Sequence, residues 1–131
     1  MSFHIELHPS EPAIVFTLNP DYDLLNEIDL STSTLIERIS TQALYDRLYL
    51  INVFKLKISV DEIVVGANRA ARGQQSAWHH PKLKQVVLVT QDETLRLAAA
   101  GMASKAFGNL SVPVFATLDE AMAYVRANKD A

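Results

Sequence analysis

The sequence predicts an α/β domain: a five-stranded, mixed and mostly parallel sheet that opens with an antiparallel hairpin and is packed by about four helices in the order ββαβαβαβα. Three observations carry this. Two short alternating apolar segments near the start are separated only by a proline-rich breaker. Three further apolar segments are each followed by a stretch with helical periodicity. Finally, a Ser/Thr-x-Asp-Glu pattern recurs where strands hand over to helices.

The first strand is "FHIEL", with Phe3, Ile5 and Leu7 on one side and His4, Glu6 and His8 on the other. Pro9-Ser10-Glu11-Pro12 interrupts it, and "AIVFTL" resumes as the second strand, so that a hairpin is the economical connection. Asn19-Pro20-Asp21-Tyr22 ends the pair. Leu24 to Ala43 reads as a helix, most clearly from Thr34 onward, where Leu35, Ile36 and Ile39 recur at helical spacing despite the weak propensity of the Ser/Thr and β-branched residues. "RLYLINVF" is a third strand, apolar on both faces in its second half and therefore central. A second helix follows, with Val60, Ile63, Val64, Ala67, Ala70 and Ala71 on one stripe and Asp61, Glu62, Val65, Arg69 and Arg72 on the other. After the loop "RGQQSAWHHPKLK" come the strand "QVVLVT", the helix "DETLRLAAAGMASKAFG" closing at Gly108, the strand "VPVFAT" and the helix "LDEAMAYVRANK".

Composition sets limits on function. The chain has 131 residues, 49% of them hydrophobic, enough for one core, and residues 1–131 are read as one domain. A formal charge of -3 argues against the basic field that nucleic-acid binding needs. The absence of cysteine removes disulfides, thiolate metal sites and Cys nucleophiles. No apolar run approaches the ~20 residues of a membrane span, and "MSFHIELHPSEP" lacks a signal pattern, so the expected setting is the cytoplasm. Charge is uneven: every ionised side chain from Met1 to Glu37 is acidic, whereas bases dominate from Arg47 to Lys105. Two solvated faces, or an oriented partner, would produce such polarity.

Three junctions, Ser59-Val60-Asp61-Glu62, Thr90-Gln91-Asp92-Glu93 and Thr117-Leu118-Asp119-Glu120, have the spacing of a capping box, and Thr34-Leu35-Ile36-Glu37 resembles a fourth. In such a box the hydroxyl accepts from the amide three residues on, and the glutamate reaches back to the cap residue's own amide. A parallel sheet gathers these junctions on one edge, where α/β proteins usually bind ligands. With side chains on the helix amides and six carboxylates nearby, phosphate would meet repulsion. Gly66, Gly73, Gly101 and Gly108 form no glycine-rich strand-to-helix loop, so dinucleotide and P-loop readings fail.

Other candidates are weaker. His4 and His8 share a strand face but lie ~13 Å apart at ~3.3 Å per residue, too far to ligate one ion. Trp78, His79 and His80 suggest a base beside an aromatic surface, although Pro81 holds His80 extended at the entry to the next strand. Nothing such as G-x-S-x-G positions a nucleophile, and no cofactor, metal site or catalytic residue is assigned. Val65, on the outer stripe with Arg69 and Arg72, has the composition of a protein interface.

Taken together, the initial hairpin, "LYLINVF", "HPKLKQVVLVT", "GMASKAFG" and "VPVFATLDEAMAYV" resemble the sulfate-transporter and anti-sigma-factor-antagonist (STAS) superfamily, in particular its SpoIIAA-like bacterial domains. In anti-sigma-factor antagonists the helix after the central strand begins with an Asp-Ser-type phosphoacceptor and docks a kinase or other partner. Here Ile58 precedes Ser59 and acids follow it. The resemblance therefore implies a non-enzymatic regulatory or protein-interaction module without the usual phosphoacceptor switch, using Ser59, Asp61, Glu62, Val65, Arg69 and Arg72 to hold a protein partner or a second protomer. The alternative is a small-molecule or lipid carrier with a pocket for an apolar ligand between a helix and the sheet, for which the alanine-rich "LAAAGMASKAF" leaves room.

Overall fold

A computed structural model of the chain describes residues 2–57, 59, 61–62, 80–101 and 112–129. Five strands, β1 (Phe3–Leu7), β2 (Ala13–Leu18), β3 (Leu48–Phe54), β4 (Leu83–Val89) and β5 (Val114–Phe115), form one sheet in the order β1-β2-β3-β4-β5. β1 is antiparallel to β2 and every other pairing is parallel, which gives the mixed α/β sheet the sequence predicts. The helices among the described residues are α1 (Leu24–Thr41), α2 (Glu93–Gly101) and α3 (Leu118–Asn128). Asp61 and Glu62 are helical, but the rest of the helix expected after β3 lies outside the described residues, as does the extension of α2 toward Gly108.

The sequential strand order explains the layering. Each parallel crossover steps in the same direction across the sheet, and right-handed crossovers then place their helices on one face. On that first face α1 and α2 cover Phe3, Ile5, Ile14, Phe16, Leu18, Leu50, Val86 and Leu88, to which Leu24, Ile28, Leu35, Ile39 and Leu95 contribute the helical side. α3 follows the last strand and closes the other face, burying Ala121, Met122 and Val125 against Tyr49, Ile51, Val53, Val87 and Val89. β3, enclosed between these layers, turns apolar side chains to both of them, with Asn52 the exception, as a central parallel strand does.

Two polar residues sit within the first layer. Ser31, on the buried side of α1, donates to the Ile28 carbonyl at 3.2 Å, so the 2.8 Å contact between Tyr22 and Ser31 is a bond donated by the phenol. Burial raises the Tyr22 pKa above its ordinary value, more than the Ser31 bond lowers it. Asn52, in mid-β3 between Phe16 and Leu88, has its carbonyl Oδ1 buried with no hydrogen-bond partner among the described residues.

α3 is fastened at its end by charge. Lys84 donates to the carbonyls of Asn128 at 3.0 Å and Lys129 at 3.2 Å, a cation on the negative end of the helix. Glu11, buried in the turn between β1 and β2, accepts from Lys129 at 2.8 Å and lies 3.4 Å from Arg126. The Lys129 bond, with further help from the Arg126 charge, outweighs burial and holds the Glu11 carboxyl below the usual carboxylate range. The turn itself is shaped by His8, whose Nδ1 accepts from the amides of Ser10 at 3.2 Å and Glu11 at 3.1 Å.

A candidate binding groove at the carboxyl ends of the strands

β2 to β5 all end on the same edge, and the residues that follow them line a cleft of about 790 Å³. Its apolar lining comes from Val53, Phe54, Leu56, Val89 and Leu118, and its polar lining from Thr17, Lys55, Lys57, Thr90, Gln91, Asp92 and Thr117. Lys55 is held there because its amide donates to the Leu18 carbonyl at 2.9 Å, continuing the β2–β3 ladder one step beyond the strand. A second hollow of about 500 Å³ shares Thr17, Lys55 and Leu118 with the first and continues over His4, Glu6, His8 and Pro9. The groove exists because α3 packs mainly on β3, β4 and β5, reaching β2 at Ala13 and Val15 and leaving His4, Glu6 and Thr17 on the same face to line the hollow.

The capping chemistry predicted for this edge forms at two of the junctions. At Ser59 the hydroxyl accepts from the Glu62 amide at 3.2 Å, and Glu62 Oε1 accepts from the Ser59 amide at 3.2 Å and hydroxyl at 3.0 Å. At Thr117 the reciprocal bonds to Glu120 are both 3.2 Å, completing the box that starts α3. The expectation at Thr90 needs correction. Its hydroxyl accepts from the Asp92 amide at 3.0 Å, while Asp92 Oδ1 accepts from the Thr94 amide at 3.0 Å and the Asp92 carbonyl takes the first helical bond, from Arg96. Asp92 is therefore the cap residue, an Asx-type start that displaces the Thr-to-Glu box.

Thr34 likewise starts nothing: it lies within α1 and returns its hydroxyl to the Leu30 carbonyl at 2.7 Å. At the true start of α1, Glu27 accepts from the Asp23 amide at 2.6 Å. The edge is also less uniformly acidic than expected. Glu62, Glu120 and Asp92 are engaged by helix amides, and Lys55 and Lys57 bring positive charge into the cleft.

Of the residues singled out in the sequence, Ser59 and Asp61 are exposed on this edge and Glu62 is half-buried. Val65, Arg69, Arg72, Trp78 and His79 lie outside the described residues. His80 precedes β4 and so stands at the opposite end of the sheet, apart from the groove. There its Nδ1 accepts from the Lys82 amide at 3.1 Å, which leaves the proton on Nε2 to donate to Ser40 Oγ at 3.0 Å. Burial, then the neighbouring Lys82 charge, lowers its pKa. Lys82 caps α1 beside it, donating to the carbonyls of Ser40 and Gln42. His80 thus ties α1 to the start of β4.

Compared with protein-family models, curated proteins and solved structures, the chain matches none. The described residues contain no group of His, Asp and Glu side chains placed to hold a metal, and no helix long and apolar enough to cross a membrane. Lys55, Lys57 and Leu118 were not flagged by the sequence as groove residues. Each follows or begins an element in an ordinary way, and only the uncovered part of the face makes them neighbours. The one available signal was Leu118, an apolar residue at the exposed first turn of a helix.

Proposed function

We propose that the chain is a STAS-type interaction module that acts by binding a protein partner at the carboxyl edge of its sheet, without turnover. The observation that carries the reading is the condition of Ser59. On the resemblance to STAS domains it matches the phosphoacceptor position, and its hydroxyl and amide are both committed to Glu62 in a closed capping box. Phosphate there would stand beside Asp61 and Glu62 and meet like charge. The element order and the hairpin-led sheet support the resemblance, and the exposed Ser59-to-Glu62 corner beside the groove supplies a docking surface. The sequence predicts a helix after this corner whose outer stripe would carry Val65, Arg69 and Arg72.

The test is affinity capture from native lysate with the wild type, Asp61→Arg, Arg69→Glu and, as a control at the other sheet edge, Asp46→Lys. A partner retained by the wild type and by Asp46→Lys but lost by Asp61→Arg and Arg69→Glu is the expected result. Ser59→Glu is expected to leave capture unchanged. A partner set insensitive to both Asp61→Arg and Arg69→Glu would remove the reading.

The groove favours a second reading, a carrier of a small, largely apolar molecule. A hollow of about 790 Å³ is within the ordinary range for ligand sites, and Val53, Phe54, Leu56 and Leu118 give it an apolar floor with lysines at the rim. Native mass spectrometry of gently purified protein tests it. A mass in excess of the chain that disappears in Leu118→Asp supports the carrier, and an empty protein whose melting is unmoved by a lipid and metabolite panel rejects it.

A further inference from the structure

β1 is an edge strand, and the parity of its pairing decides which of its backbone groups face outward. The Asn19 amide donates to the Ser2 carbonyl at 2.9 Å and the His8 amide to the Ala13 carbonyl at 2.8 Å, so the even-numbered residues 2, 4, 6 and 8 are those bonded to β2. The amides and carbonyls of Phe3, Ile5 and Leu7 therefore point away from the sheet, and no hydrogen bond reaches them from the described residues. Natural edges usually blunt such a row with like charges or prolines. This one carries His4 and Glu6, both exposed and 3.6 Å apart, an imidazole that can donate a hydrogen bond and a carboxylate that can accept one, two positions apart.

That spacing is self-complementary. When β1 meets a second β1 antiparallel about Ile5, Ile5 faces Ile5, Phe3 faces Leu7, and His4 of each copy faces Glu6 of the other. Phe3, Ile5 and Leu7 become the hydrogen-bonded pairs. His4 and Glu6 fall at the non-bonded positions, where opposite Cα atoms approach to about 4.5 Å and side chains meet most closely. Moving the centre by one residue destroys the match: about His4 it sets histidine on histidine, and about Glu6 carboxylate on carboxylate. The flank of α1 above this edge is compatible with a neighbour. Glu27 accepts from the Ser2 hydroxyl there, and Leu30, one turn on along the same flank, is 62% exposed.

We propose that two copies of this chain associate through β1, antiparallel about a two-fold axis at Ile5, so that their sheets become continuous. The contact adjoins the smaller hollow, which His4 and Glu6 line, but it runs along the outer backbone edge of β1 and does not rest on what the carboxyl-edge cleft binds. An isologous contact of this kind closes on itself and consumes both free edges, leaving no template for further addition on that side. A single five-residue edge makes a small interface, so the association is of the weak class, with a dissociation constant on the order of 0.1 mM.

Sedimentation equilibrium over about 10 µM to 1 mM tests it, a range that brackets this constant. The wild type is expected to pass from monomer to dimer. Glu6→Lys, which removes the carboxylate acceptor from both pairs of the dimer, and His4→Glu, which sets carboxylate on carboxylate twice, should each raise the dissociation constant about tenfold. The double variant His4→Glu/Glu6→Lys restores a complementary pair at each position and should return it to within about threefold of the wild type. Both positions are exposed, so circular dichroism should be unchanged. In the same samples, amide exchange at Phe3, Ile5 and Leu7 should slow as concentration rises. A monomer throughout the range overturns the proposal. So does a dimer indifferent to both single swaps, or one in which those three amides exchange at the same rate at every concentration.

Discussion

Glu11 and Lys129, 118 positions apart, meet at 2.8 Å and join the first hairpin turn to the residue that follows α3. This link makes stability depend on pH in a defined window. The folded carboxyl has a pKa below its ordinary value of 4.5, so the unfolded chain binds the proton more readily. The stabilisation is fully present above pH 4.5 and is lost as pH falls through the lower folded value. Urea melts of the wild type should lose stability across that window. Glu11→Gln should be less stable at neutral pH and show a flatter profile below 4.5. Identical profiles for the two proteins would remove the link.

His80 gives a second, separate window. Its pKa is lowered from 6.5, so the neutral ring is the folded form, and stability present above pH 6.5 declines as pH falls through the folded value. Protonation removes the Nδ1 acceptor used by the Lys82 amide. Imidazole NMR shifts should report titration below 6.5 with the proton on Nε2 in the neutral state. His80→Phe should flatten the decline in denaturant midpoints that sets in below pH 6.5. A proton found on Nδ1 would contradict the hydrogen-bond assignment.

The three helix starts should respond differently to truncation. Thr117→Ala removes a complete capping box and should cost about 1 kcal/mol, and Ser59→Ala a similar amount. At α2 the same loss should follow from Asp92→Ala, whereas Glu93→Gln, outside the cap, should fall within ±0.5 kcal/mol. Chemical denaturation of the four variants measures this. A larger effect from Glu93→Gln than from Asp92→Ala would restore the Thr90 box.

Asn52 presents the opposite case, a polar group whose removal should help. Its buried carbonyl lies between Phe16 and Leu88 with no hydrogen-bond partner among the described residues, and an unsatisfied buried acceptor costs about 1–3 kcal/mol. Leucine has nearly the same shape and completes the apolar layer. Asn52→Leu should therefore raise the unfolding free energy by about 1 kcal/mol or more, whereas Asn52→Asp, carrying charge into the layer, should lower it sharply. A destabilised Asn52→Leu would mean that the amide is satisfied in solution.

The fold was legible where local signals were undivided. β1 and β2 were read to the residue because strict alternation ends at Pro9, restarts after Pro12 and stops at Asn19. β4 begins two residues earlier than expected, since Leu83 and Lys84 join the strand even though Lys84 carries its charge past the edge of the layer to α3. β5 shrinks from the expected six residues to Val114 and Phe115, because it has one neighbouring strand and Pro113 brings no amide. α1 runs from Leu24 to Thr41, two residues short of the expected end at Ala43, its five buried positions outweighing a Ser/Thr-rich middle.

The site was less legible for a different reason. A cap is a local pattern, so Ser59 and Thr117 could be read from spacing, and Thr90 failed only because Asp92 competes for the same helix start. The groove depends on which part of a sheet face the last helix leaves open, and Glu11 depends on a partner that no local pattern announces.

The strand order β1-β2-β3-β4-β5 has a consequence for how the molecule is made. Each strand after the hairpin adds beside the one synthesised just before it, so the sheet and its first helical layer can assemble as the chain leaves the ribosome, with modest loop-closure entropy at every step. The second face cannot follow that schedule. Tyr49, Ile51, Val87 and Val89 wait uncovered until α3 has been made, and Glu11 waits for Lys129. During that interval the nascent sheet exposes an apolar surface, which makes the late docking of α3 the step at which a chaperone or an aggregate would compete for the protein.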